Sequence, residues 1–185
     1  MEFDLDITKP EYHGGSIVNL MASIKRAFGL APQNYPELAM LTSDKLRENE
    51  STTLLVIDGL GADLLREFSA DPKASGRLEE NLCGRMTSVY PPTTASAITT
   101  FMSGQAPQQH GLTGWFMNFR EIGMTTAVLP FMARGGHGCL SEQGINIADL
   151  VDCNSLSRDL PVKASMLLPA EIADSDFSNR VGDGA

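Results

Sequence analysis

The chain has 185 residues, 42% of them apolar and 20% charged, which is enough to bury one core and too balanced for a disordered chain. Its 14 basic and 23 acidic residues give a net charge of −9, which excludes a general binder of nucleic-acid duplex, because that needs a positive face. Phosphate chemistry stays open, since bound metal ions supply local positive charge. In chain order, Met1 to Asp6 is acidic where a signal peptide would be basic and then apolar. Ser16 predicts an N-cap, and Ile17, Leu20, Met21, Ile24, Ala27 and Phe28 follow at helical spacing up to Gly29. Residues 31–36 read as a loop. Short helices are expected at Glu37 to Leu41 and Asp44 to Asn49. Thr52 to Ile57 is a short β-rich apolar run, as in a strand buried on both faces of a parallel sheet. Asp58-Gly59-Leu60-Gly61 breaks it, and a helix is expected from Ala62 to Phe68.

A second strand–loop–helix unit follows. Met86 to Tyr90 reads as a strand ended by Pro91-Pro92, and Thr94 to Ser103 as a helix stopped by Gly104. Trp115 to Arg120 and Met124 to Leu129 are expected to pair as a hairpin across Glu121-Ile122-Gly123. Arg134 to Gly138 is a glycine-rich loop, and Asn146 predicts a cap for a helix to Val151. Val162 to Leu168 reads as a late strand, and residues 174–185 as a polar tail that frays. No run of about 18 apolar residues occurs, so no membrane span is expected. Cys83, Cys139 and Cys153 are odd in number and form no CxxC pair. They read as free thiols in a reducing compartment, and the chain is expected to be cytoplasmic.

Several common sites are absent from the sequence. No lysine follows a glycine, so there is no phosphate loop, and no serine sits in a GxSxG elbow. There is no HExxH, and Gly59-Leu60-Gly61 is only part of a dinucleotide fingerprint. What remains is a pair of features. Asp58 ends a strand and is followed by glycine, where a carboxylate suits a hard or borderline cation or caps the next helix. Pro91-Pro92-Thr93-Thr94-Ala95-Ser96 places hydroxyls at a helix start, where free N–H groups favour phosphate. Thr94 is then either a nucleophile beside a bound cation or an inert neighbour of a Thr93 N-cap.

Together, Leu55-Val56-Ile57-Asp58-Gly59-Leu60 and Ser88 to Ser96 resemble the type I phosphodiesterase/nucleotide pyrophosphatase family of the alkaline phosphatase superfamily. Thr100, Ser103-Gly104, Pro107 and His110-Gly111 continue the resemblance, and Tyr12 to Leu20 is similar to a bacterial branch. The resemblance implies an α/β, alkaline-phosphatase-like fold with a mostly parallel central sheet flanked by helices. It implies hydrolysis of small phosphodiesters or nucleotide pyrophosphates with two divalent metal ions, usually zinc. Asp58 would be a metal ligand, and Thr94 the nucleophile and a ligand of the same metal. Thr93 would be a weak substrate contact and the lesser candidate for nucleophile, because the family's reactive threonine aligns with the second hydroxyl. A phospho-threonine intermediate would form.

The chain departs from that family in its histidines, which are His13, His110 and His137 only. His110 reads as a turn residue and His137 as a solvated loop residue. Arg134 reads as solvated, and Asp149 and Asp152 as surface charges. Trp115, Phe116, Met117 and Phe119 read as hairpin packing or as an apolar wall near the site. The expectation is a single N-terminal portion, residues 1–185, of a longer catalytic domain that carries the nucleophile half of the site. An unpaired sheet edge would favour self-association. The alternatives are an inactive remnant, or another superfamily reaction such as a phosphomutase or phosphonate hydrolase.

Overall fold

The computed structural model describes residues 8–31, 34–69, 77–136 and 138–183. The acidic start at Met1 to Asp6, part of the 31–36 loop, and His137 lie outside the described residues.

Helix α1, Ile17–Ala27, begins at Ser16 and buries Ile17, Leu20, Met21 and Ile24, as its spacing requires. Asn19 is fully buried and fixes the entry. Its Oδ1 accepts from Ser16 N at 3.0 Å, and its Nδ2 donates to Tyr12 O and Pro36 O, each at 2.8 Å. Residues 37–41 are not the expected helix; Leu38 and Leu41 close a turn by an isolated antiparallel bridge. Helix α2 spans Ser43–Arg47. Glu37 ties it to α1, accepting from Arg26 Nη1 at 2.7 Å and from Ser43 Oγ at 3.0 Å.

The run Thr52 to Ile57 departs from its expected state. It forms no ladder and is exposed throughout. The residue types favour extended backbone, but a strand exists only against a partner, and no described residue supplies one. Helices α3, Ala62–Ser69, and α4, Arg77–Glu80, follow. Thr87 forms a parallel bridge with Ser16, with Thr87 N donating to Gly15 O at 2.8 Å and Ile17 N to Thr87 O at 3.0 Å. This bridge is the only parallel pairing among the described residues. The mostly parallel central sheet is therefore not formed among them.

Helix α5, Thr94–Ser103, has the expected ends. Thr93 caps it, and Gly104 closes it at φ +64. Helix α6 spans Pro107–His110. Strands β1, Phe116–Phe119, β2, Met124–Ala127, and β3, Met132–Ala133, form an antiparallel sheet in the order β1-β2-β3. Phe116 pairs with Ala127 and Phe119 with Met124, which is the expected hairpin.

The segment capped by Asn146 is a 3-10 turn, Ile147–Asp149, with Ala148 N donating to Asn146 Oδ1 at 2.9 Å. Helix α7 spans Leu156–Asp159. Residues 162–168 form no strand, and Leu167 is 99% exposed. Helices α8, Ala170–Ala173, and α9, Asp176–Gly182, end the described chain. The tail expected to fray is packed instead, because Phe177 and Val181, four residues apart on α9, enter the core. The main core joins them to Ala95 and Met102 of α5, Phe119 of β1, and Val128, Phe131 and Leu140. Helix α5 thus has one face anchored in the core and its first turn beside Asp58.

Candidate active site

The first turn of α5 is built by local sequence. Thr93 Oγ1 accepts from Ser96 N at 3.4 Å and lies 3.1 Å from Ser96 Oγ. Its hydroxyl is occupied as a cap, the plain role the sequence also allowed. The amides of Thr94 and Ala95 donate to no described residue. No acidic side chain occupies the first turn. The helix start therefore keeps free donors and partial positive charge.

Thr94 and Asp58 meet across 36 positions of sequence. Thr94 Oγ1 donates to Asp58 Oδ2 at 3.2 Å, an exposed contact. The two residues singled out from sequence are thus brought together by the fold. They lie on the wall of a cleft of about 600 Å³, which Leu20, Ile57, Met86, Ile98 and Phe101 make largely apolar. Among the described residues no lysine, arginine or histidine lines it.

His110 supports this turn from behind. It is buried, and its Nδ1 accepts from Leu112 N at 3.0 Å. That bond places the neutral ring's proton on Nε2, which lies 3.3 Å from Thr100 Oγ1 and also reaches the Ser96 carbonyl. Burial pushes its pKa down to about 4, against the smaller upward pull of the Ser96 carbonyl. The sequence identified a turn residue; the ring's bonds to α5 were not readable from it.

The far end of α5 is held by Lys25, almost fully buried in α1, whose Nζ donates to Gly104 O at 3.1 Å. Burial lowers the Lys25 pKa, and Asp159 opposes that. The other candidates stand apart from this pair. His13 is exposed, with its backbone N–H bonded to the Glu11 carboxylate. Arg134 stacks on Phe116, 4.8 Å from the ring centre, and Asp149 and Asp152 are exposed. Phe119 packs in the core and Met117 against it, while Trp115 and Phe116 are exposed; none of these lines the cleft. Cys83, Cys139 and Cys153 are free thiols, and no helix among the described residues is long and apolar enough to cross a membrane.

The donor set decides how far a metal centre is built. Asp58 and Thr94 offer one carboxylate and one hydroxyl oxygen. Among the described residues no three His, Cys, Asp or Glu side chains gather to hold a metal ion. A zinc site takes about three or four protein ligands. The described residues therefore do not fit the two-metal centre that the resemblance implies.

Residues 52–128 match the model of the type I phosphodiesterase / nucleotide pyrophosphatase family, to which this stretch is similar. The matched stretch contains Asp58, Thr93, Thr94 and His110. No curated protein and no solved structure matches the chain.

Proposed function

We propose that this chain carries the nucleophile part of a hydrolase for small phosphodiesters or nucleotide pyrophosphates. The observation that carries the reading is the Thr94–Asp58 contact at the start of α5. Thr94 is the nucleophile. Its Oγ1 bonds to phosphorus while the opposite P–O bond breaks, and the leaving group departs as an alcohol from a diester, taking up the proton lost by Thr94, or as a phosphate from a pyrophosphate. The nearest acceptor for the Thr94 proton is Asp58 Oδ2. The product is a threonine phosphoester that retains the second arm of the substrate. Water then cleaves that ester and restores the hydroxyl. The unpaired amide of Thr94, a residue of the cleft wall, is the nearest free helix-start donor to charge that develops on phosphate oxygens. Thr93 acts through its cap, holding the turn in place, with at most a peripheral part in binding substrate.

Asp58 suits a divalent cation in donor type, and zinc is the ion the resemblance implies. The chain's described residues do not complete its shell, so no step above passes through a metal. The incomplete ligand set also favours a second reading, a non-catalytic remnant that keeps the family's first turn. Zinc titration by calorimetry separates the two: tight two-site binding rejects the remnant, and absent binding supports it.

Hydrolysis of a chromogenic phosphodiester, assayed with and without added zinc, tests the leading reading. Thr94→Ala is expected to lower kcat by at least about 10³-fold, as loss of a nucleophile does. Unchanged turnover in that variant would remove Thr94 from the chemistry.

A further inference from the structure

The face of α5 that bears Thr94 continues past it as an apolar stripe. Thr94, Ala97, Ile98 and Phe101 line the cleft at positions i, i+3, i+4 and i+7, which is one side of a helix. Ala97, Ile98 and Phe101 are only partly buried, whereas Ala95 and Ser96 on the other side are fully buried. The stripe therefore stays partly open to the cleft. From Thr94 to Phe101 it runs about 10 Å along the helix. Ile17 and Leu20 of α1, with Ile57 and Met86, add further apolar wall to the same cleft.

Thr94 as nucleophile fixes which part of a substrate meets this stripe. In an in-line displacement the leaving oxygen lies opposite Thr94 Oγ1, so the leaving group points away from the helix start. The arm retained on phosphorus stands across that axis and can lie along α5. Beyond Thr94 this face of α5 carries no polar side chain, and among the described residues Asp58 is the one charged group lining the cleft. A negatively charged arm would meet Asp58 without a counter-ion. Ribose hydroxyls laid along the stripe would give up water without a side-chain partner there. An alkyl arm loses nothing by leaving water, and it covers the stripe. We propose that the cleft selects phosphodiesters whose retained arm is an uncharged alkyl group, laid along α5 from Thr94 toward Phe101. This preference narrows the hydrolase reading and rests on it.

Hydrolysis of p-nitrophenyl alkyl phosphates by the full chain with zinc tests it, since the nitrophenolate leaving group stays constant. From methyl to hexyl, kcat/KM is expected to rise about two- to fourfold per methylene, as partial to full burial of each group gives. The nitrophenyl ester of a nucleoside 5′-phosphate should have a kcat/KM at least about tenfold below that of the hexyl ester. Ile57 lines the cleft and packs in no core, so in Ile57→Asn the hexyl-to-methyl ratio should fall at least about fivefold. Calorimetry with hexyl methylphosphonate and methyl methylphosphonate, inert anions of equal charge, reads the stripe without turnover. The hexyl form should bind at least about tenfold more tightly. A flat chain-length series, a nucleoside ester used as well as the hexyl ester, an unchanged ratio in Ile57→Asn, or equal binding of the two phosphonates would overturn the preference. A flat series that is still abolished by Thr94→Ala would leave the hydrolase reading standing. Tighter hexyl binding with no turnover of any ester would uphold the stripe as an alkyl site and overturn the hydrolase reading instead.

Discussion

At the residue scale, the site depends on side chains that touch no substrate. His110 is the clearest. Its ring bridges the Leu112 amide and α5, and does so only while neutral, because a protonated Nδ1 cannot accept. In the unfolded chain it takes a proton near its ordinary 6.5, and in the fold only near 4. Between those values the unfolded state binds more protons, so stability is lost as pH falls from about 6.5 toward 4. The full difference is about 3 kcal/mol, of which about 2 kcal/mol is lost by pH 5. Urea melts at pH 7 and pH 5 should show that loss in the parent chain. In His110→Gln this part of the slope should vanish. An equal slope in both proteins would contradict a neutral buried ring.

At the element scale, α5 sets the geometry, and its two ends are held by different physics. The start is a Thr93 cap, and the end is a left-handed glycine against a buried lysine. A Cβ at Gly104 would lie 2.5 Å from Lys25 Cε, with backbone at φ +64. Gly104→Ala is therefore expected to cost about 1–3 kcal/mol, from the strained φ and the forced shift of Lys25, measured as a lower urea midpoint. A neutral result would mean that Lys25 moves freely. The same helix shows what sequence makes legible. Thr93 and Gly104 are local signals, so α5 was readable to the residue, as was the β1–β2 hairpin around Gly123. Thr52 to Ile57 was readable as extended apolar chain but not as unpaired, because pairing is supplied by other segments. The tail was misread because its polar composition conceals Ser175 as a cap and Phe177 and Val181 on one face. The Thr94–Asp58 contact was legible only as two motifs, since their approach across 36 positions is a property of the fold.

At the scale of the whole molecule, α5 joins the main core through Ala95 and Met102 and lines the cleft through Thr94, Ala97, Ile98 and Phe101. Phe177, only 1% exposed, brings α9 into that core beside Ala95 and Met102. Phe177→Ala should cost about 3–5 kcal/mol in urea unfolding, as a large buried ring lost to alanine does. A cost near zero would return the tail to the frayed state its composition implies. The cleft itself has the opposite character. It is largely apolar, no basic side chain of the described residues lines it, and its polar features include the start of α5 and the Asp58 carboxylate. The acidic net charge of −9 is compatible with the proposed phosphoester chemistry, because a helix start acts on an anion locally. The central claim is that Thr94 forms a covalent bond to phosphorus. It is tested most directly by acid-quenching the chain during turnover of a phosphodiester in the presence of zinc and mapping the adduct by peptide mass spectrometry. The account predicts a phosphoester on Thr94 that retains one arm of the substrate and is absent in Thr94→Ala; turnover with no adduct, or an adduct on another residue, would contradict it.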